Sequence, residues 1–173
     1  MKKIHNPWVD APGYNCIGCC PSHPFGFHLE FYEDGDDIVS FWSPTPDFQG
    51  WIDTLHGGVQ ALLLDEICGW TVARKLQTAG VTSSLETRYL HPISTTEPSI
   101  TIRARITAQR RNIVTMEATI ANAAGKLVEV YNFAGAVVAS FTATSDSQVA
   151  TLDVNAGVYI VKVAGTTHKT IVK

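Results

Sequence analysis

Several absences narrow the class of this chain. Of its 173 residues only 17% are charged, and the formal net charge is −3 at neutral pH. Surfaces that bind nucleic acid carry dense Lys and Arg, so no nucleic-acid partner is expected. No run approaches the roughly 18 consecutive apolar residues that a membrane-spanning helix needs, which excludes a helical anchor within the sequence. The opening Met1-Lys2-Lys3-Ile4-His5-Asn6-Pro7-Trp8 has the lysines of a signal peptide but no apolar stretch behind them, so a cytoplasmic protein is expected. There is no phosphate-binding P-loop, no dinucleotide fingerprint and no Gly-x-Ser-x-Gly elbow. No cofactor is therefore expected. What remains is a composition that is 45% hydrophobic, which reads as a globular domain with one full core, or one domain plus an appendage.

Cysteine is scarce and clustered. Three of the four crowd into Cys16-Ile17-Gly18-Cys19-Cys20, and the fourth is Cys68. Without an export signal, reduced thiols are expected. Cys16, Cys19 and His23, with His28 nearby, invite a zinc reading. A structural site needs four ligands, and no second Cys-x-x-Cys or His pair completes the set. The expectation is no metal and a loop of small residues.

The chain divides by texture. Residues 1 to 26 are rich in Pro, Gly and Cys and read as an irregular lead-in. Phe27 to Phe31 and Ile38 to Trp42 flank Glu33-Asp34-Gly35-Asp36-Asp37, a hairpin signal. After Pro44 and Pro46 a helix is expected, capped by Asp53 or Thr54 and running to about Gln77. Apolar residues occupy nearly all its faces, which predicts a buried helix wrapped by a sheet. Strands are expected at Val81 to Tyr89, Ser99 to Ala108 and Ile113 to Ala121. Ile100, Ile102, Ala104 and Ile106 alternate with polar residues, so one face is buried and the other wet. A turn follows at Asn122 to Lys126. These elements make an α+β domain over residues 1–127. Residues 128–173 contain no candidate helix, little charge, and short hairpin-like strands around a Thr/Ser stretch, a β-rich C-terminal appendage.

The chemistry gathers at Leu55-His56-Gly57-Gly58-Val59-Gln60-Ala61-Leu62-Leu63-Leu64-Asp65-Glu66. Two glycines at a helix start cost stability, but they let another group approach N–H donors at the positive end of the helix dipole. That suits a developing oxyanion or a carbonyl. Asp65 lies seven residues beyond Gly58, on the same helix face and about 10 Å along the axis at 1.5 Å per residue. A carbonyl held at the glycines cannot also touch Asp65 of that helix. The two meet only if a second helix runs antiparallel beside the first, which predicts a two-fold dimer with shared sites. Burial raises a carboxylate pKa towards general-base duty, which favours a catalytic Asp65. Glu66 is open between a substrate contact and a structural tie. His56 is expected to hydrogen-bond locally and hold the turn rather than act as a base. Thr82 and Ser83 offer hydroxyls, and Arg88 is placed with Gly58, Glu66 and Ser83 among the candidate substrate contacts.

Thr54-Leu55-His56-Gly57-Gly58-Val59, with Asp65 nine residues after the histidine, resembles the hot-dog fold acyl-CoA thioesterases of the phenylacetate (PaaI) type. Cys16-Ile17-Gly18-Cys19 followed by Pro24-Phe25-Gly26 resembles the N-terminal segment of many members. Thr87-Arg88-Tyr89-Leu90-His91-Pro92-Ile93 resembles the strand end after their helix. The resemblance covers residues 1–127. It implies a hot-dog fold, a long central helix wrapped by an antiparallel sheet, and hydrolysis of an acyl-CoA thioester by a homodimer or a dimer of dimers. Coenzyme A would be part of the substrate. The Gly57 N–H would polarise the thioester carbonyl, Asp65 of the facing protomer would activate water or attack, and Thr82 would match a helping hydroxyl. Some members carry Asn six residues before the histidine; here that residue is Gly50, and Gln49 beside it is the candidate to serve instead. A dehydratase fits less well, because no His-Phe-Pro precedes the helix.

The tail resembles part of the C-terminal sorting domain of type IX secretion substrates, through Val130-Tyr131-Asn132-Phe133-Ala134-Gly135, Gly157-Val158-Tyr159-Ile160-Val161-Lys162-Val163 and Lys169-Thr170-Ile171-Val172-Lys173. The usual Pro-Asn-Pro opening is missing. Two further function classes stay open: a non-catalytic acyl-CoA-binding protein, and an exported protein whose tail is a sorting signal.

Overall fold

The computed structural model describes residues 1–122, 127–142, 154–163 and 166–172. They form two compact units, Met1–Ala121 and Asn122–Lys173. Most of the expected turn at 122–126, and the Thr/Ser stretch from 143 to 153, lie outside the described residues.

In the first unit, β1 (Lys2–Lys3), β2 (Phe31–Asp34), β3 (Asp37–Trp42), β6 (Ile100–Arg110) and β7 (Ile113–Ala121) form an antiparallel sheet in the order β1-β2-β3-β6-β7. The β2–β3 turn closes at Asp34 opposite Asp37, leaving Gly35-Asp36 as a two-residue loop. Gly35 has φ +62°, a left-handed value that glycine adopts without steric cost because it has no Cβ to clash. Alternation in β6 does what its pattern predicts. Ile100, Ile102 and Ala104 are buried, while Arg103 on the other face reaches Asp37 at 2.6 Å and Asp34 at 3.0 Å.

A short pair of strands, β4 (Gln49–Trp51) and β5 (Thr54–Leu55), delivers the chain to helix α1 (Gly57–Leu76). Leu63, Ile67 and Trp70 of α1 recur at helical spacing and pack with Phe31, Ile38, Ile100 and Ile102 into one core. Trp70 stacks on Phe31 with ring centroids 4.5 Å apart. The sheet covers one face of the helix only. Ala61, Leu62, Leu64, Asp65 and Cys68 are half-buried and Gly69 is exposed, so the expected all-round burial is not met within one chain. At its far end α1 stops at Gln77, which is left-handed. Arg74 and Lys75 of the last turn both clasp Glu33 of β2 at 2.7 Å.

Two expectations need correction. Val81 to Tyr89 is not a strand: the segment has no regular structure, and only Thr87 in it is even half-buried. Its residues pair with no strand of the sheet, and side-chain preference alone does not hold a strand in water. The helix cap is His56, not Asp53 or Thr54. Asp53 has a left-handed φ of +54°, and Thr54 is taken up in the β4–β5 pairing, so neither is free to cap.

The second unit is a four-stranded antiparallel sheet among its described residues. Its order is β11-β10-β8-β9, built from β8 (Leu127–Asn132), β9 (Val137–Thr142), β10 (Gly157–Val163) and β11 (Thr166–Val172). Residues 127–132, which could have continued the first sheet after β7, instead belong to this second one. Gly135, at φ +80°, makes the β8–β9 turn, and the Asn132 side chain accepts from the N–H groups of Ala134 and Ala136.

Candidate active site at the start and third turn of α1

The loop before α1 is held from both sides. The His56 N–H donates to the Phe48 carbonyl at 2.9 Å, and the Leu55 N–H donates to the Ile93 carbonyl at 2.8 Å. His56 Nδ1 accepts from the Gly58 N–H at 2.9 Å, so the imidazole itself is the N-cap. This fixes Nδ1 as an acceptor and consumes one of the orphan donors of the first turn. The Gly57 N–H is left over: no described residue accepts from it. The Gly57 carbonyl is claimed, because the Tyr89 hydroxyl donates to it at 3.0 Å.

Gly50 makes this arrangement possible. A Cβ there would lie 2.8 Å from His56 Cδ2 and 3.1 Å from His56 Cα, so only glycine lets β4 pass the capping ring. The residue six before the histidine thus serves packing rather than offering an amide. Gln49 sits beside it, exposed and in register with Leu55.

Asp65 is half-buried, and the Thr82 hydroxyl donates to its Oδ1 at 2.5 Å. Asp65 and Gly57 are eight residues apart on one helix, about 12 Å along its axis at 1.5 Å per residue. Within one chain they are not brought together. Cys68, one turn beyond Asp65, has its thiol pushed up to about 11 by burial and then by the Asp65 charge, so it stays protonated at neutral pH.

The other candidates scatter. Glu66 accepts from Trp70 Nε1 at 3.2 Å and from the Cys16 thiol at 3.4 Å, which turns it towards the lead-in segment. Ser83 is exposed, and Arg88 is exposed with a 3.7 Å contact to Glu86. No hydrogen bond links Ser83 or Arg88 to His56, Gly57 or Asp65 among the described residues. Nothing local in the sequence marks Tyr89, whose bond to Gly57 depends on the path of the irregular segment after the helix. Nor does any local signal mark the meeting of Cys16 with Glu66, a contact between positions 50 residues apart. All four cysteines are free thiols.

Residues 53–129, the stretch that holds His56, Gly57, Asp65, Thr82 and Tyr89, match the family model of the thioesterase superfamily. Residues 101–172 match the model of a domain of unknown function, DUF6383. No curated protein matches the chain significantly. A crystal structure described as a thioesterase superfamily protein aligns with a TM-score of 0.58 at 24% identity, over 73% of this chain and 60% of that one. Zebra fish thioesterase superfamily member 2 aligns with a TM-score of 0.51 at 20% identity, over 76% of this chain and 84% of that one. This chain therefore spans less than two thirds of the length of the first. These likenesses are of fold: one helix packed on an antiparallel sheet, the hot-dog arrangement of that superfamily. No helix among the described residues is long and apolar enough to cross a membrane.

Proposed function

We propose that the chain hydrolyses an acyl-CoA thioester, in sites built between two copies of the first unit. The observation that carries this is that one helix bears both a free Gly57 N–H, aimed by the His56 cap, and, further along, an Asp65 carboxylate held by Thr82. The match of residues 53–129 to the thioesterase superfamily model supports the reaction class. The Gly57 N–H, at the positive helix end, stabilises the oxyanion that forms when the thioester carbonyl is attacked. Asp65 of the facing copy takes the proton from water, or attacks the carbonyl itself. Thr82 aims the carboxylate, and Tyr89 fixes the Gly57 peptide through its carbonyl.

The dimer has support in the exposure pattern. Val81, Leu90, Trp51 and Ile52 are 95%, 80%, 76% and 74% exposed in one chain, and they lie in the segments that precede and follow α1 in sequence. Large apolar side chains this exposed around a candidate site mark a surface for association. The segment at 128–173 is proposed as a sorting-like module, on its sequence motifs alone; cell fractionation tests it, and a protein confined to the cytoplasm would count against it. The test of function is release of free CoA from a panel of acyl-CoAs, followed with a thiol reagent. Asp65→Asn is expected to lower turnover by about 10²–10⁴-fold, and unchanged turnover in that variant would sink the mechanism.

A further inference from the structure

Cys16 Sγ, Cys19 Sγ and a Glu66 carboxylate oxygen lie within 4.8 Å of one another. We infer that these three side chains form a binding site for a soft divalent cation such as zinc, clipping the lead-in loop to α1. Four observations carry it. A tetrahedral zinc with bonds of about 2.3 Å to sulfur and 2.0 Å to oxygen separates a sulfur and an oxygen ligand by roughly 3.5 Å. Cys16 Sγ stands 3.4 and 3.5 Å from the two Glu66 oxygens, the edge length such a site requires. Next, position 18 is open for the carboxylate. A Cβ on Gly18 would lie 2.4 Å from Glu66 Cδ, so the loop carries glycine where the carboxyl group enters it.

Each ligand also has a partner that orients it, as metal ligands do. The Gly18 N–H donates to Cys16 Sγ at 3.3 Å, Tyr14 Oη lies 2.8 Å from Cys19 Sγ, and Trp70 Nε1–H donates to Glu66. Asn6 in turn donates to the Tyr14 oxygen at 2.9 Å. Finally, among the described residues no Lys, Arg or His pairs with the half-buried Glu66, although a carboxylate taken out of water ordinarily has a compensating charge. A dication supplies it.

The sequence has no further Cys-x-x-Cys or His pair to complete a zinc site. The structure brings a carboxylate from the helix instead. Two sulfurs and one oxygen leave a fourth tetrahedral position for water, and the two thiols bind as thiolates, releasing their protons to solvent. Cys19 also lines a cleft of about 440 Å³ with His5, Asn6 and Trp70. Because Glu66 follows Asp65, a bound ion would stiffen α1 beside the proposed catalytic carboxylate without taking part in the reaction.

The test is zinc titration of the full-length, chelator-stripped, reduced protein against a chromophoric competitor, with cobalt as an optical probe of sulfur ligation. The expected result is one zinc per chain and a thiolate-to-cobalt absorption band. Cys16→Ser or Cys19→Ser should each weaken binding by more than about 100-fold and Glu66→Gln by about 10-fold or more, with Cys68→Ser as a control that changes nothing. Circular dichroism of each stripped variant separates lost ligands from lost folding, and Trp70→Phe, which keeps all three ligands, should weaken binding by about 10-fold. Absence of stoichiometric zinc binding overturns the inference. So does binding that survives Cys16→Ser, or a chain isolated with a Cys16–Cys19 disulfide that takes up no zinc after reduction.

Discussion

The Thr82 hydroxyl donates to Asp65 Oδ1 at 2.5 Å, tying the irregular segment after α1 to the carboxylate in the helix. A hydrogen bond to a charged acceptor is worth about 1.5–3 kcal/mol. Thr82→Val keeps the shape and removes the donor. It should lower kcat for acyl-CoA by about 10-fold or more while KM stays within about 2-fold, because the bond aims the carboxylate and does not touch substrate. Steady-state kinetics of the variant checks this, and a change confined to KM would reassign Thr82 to binding.

The turn before the helix depends on the His56 cap and on Gly50 beneath its ring. His56→Ala should cost about 1 kcal/mol of stability and His56→Asn much less, since asparagine also caps. Gly50→Ala forces a methyl group against the ring and should cost about 1–3 kcal/mol, as overpacking does. Urea unfolding of the three variants measures the order. Equal stability of Gly50→Ala and the parent would show that the loop yields to the added methyl.

Glu33 joins the β2–β3 hairpin to the last turn of α1. Lys75 first, and then Arg74, hold its carboxyl down at about 2, from an ordinary 4.5. A carboxyl with a depressed folded-state pKa contributes stability above its unfolded pKa and loses that contribution as pH falls to the folded value. The stability lost in Glu33→Gln should therefore be constant above about pH 5 and fade to nothing between about pH 4.5 and pH 2. All three groups, Glu33, Arg74 and Lys75, are near the surface, so added salt should shrink the difference. Parallel thermal melts of parent and variant across that range test it.

Much of the first unit was legible because its signals are local. The strict alternation of Ile100, Ile102 and Ala104 with polar residues fixes which face of β6 is buried, and Gly35 between acidic residues marks the hairpin. The two glycines before an apolar run mark the start of α1. Other features depend on what the chain meets after folding. Val81 and Thr82 carry strand-forming side chains, yet the segment pairs with no strand of the sheet. His56 is an uncommon cap, and it takes the role because Asp53 and Thr54 are committed to the preceding turn. Glu66 reads as a neighbour of Asp65, but successive helical residues point about 100° apart, and that rotation carries it to Cys16.

The central claim is that each site takes Gly57 from one copy and Asp65 from the other. Subunit exchange between Gly57→Pro and Asp65→Asn tests it most directly. Proline at the first helical position keeps the helix and removes the N–H, and the extended His56, at φ −58° and ψ 132°, accepts a following proline. Each variant alone should be inactive. Random exchange makes about half the dimers mixed, each with one intact site of two, so a 1:1 mixture should regain about a quarter of the parent activity. A mixture as inactive as its components, with exchange confirmed by mass, would contradict the shared site.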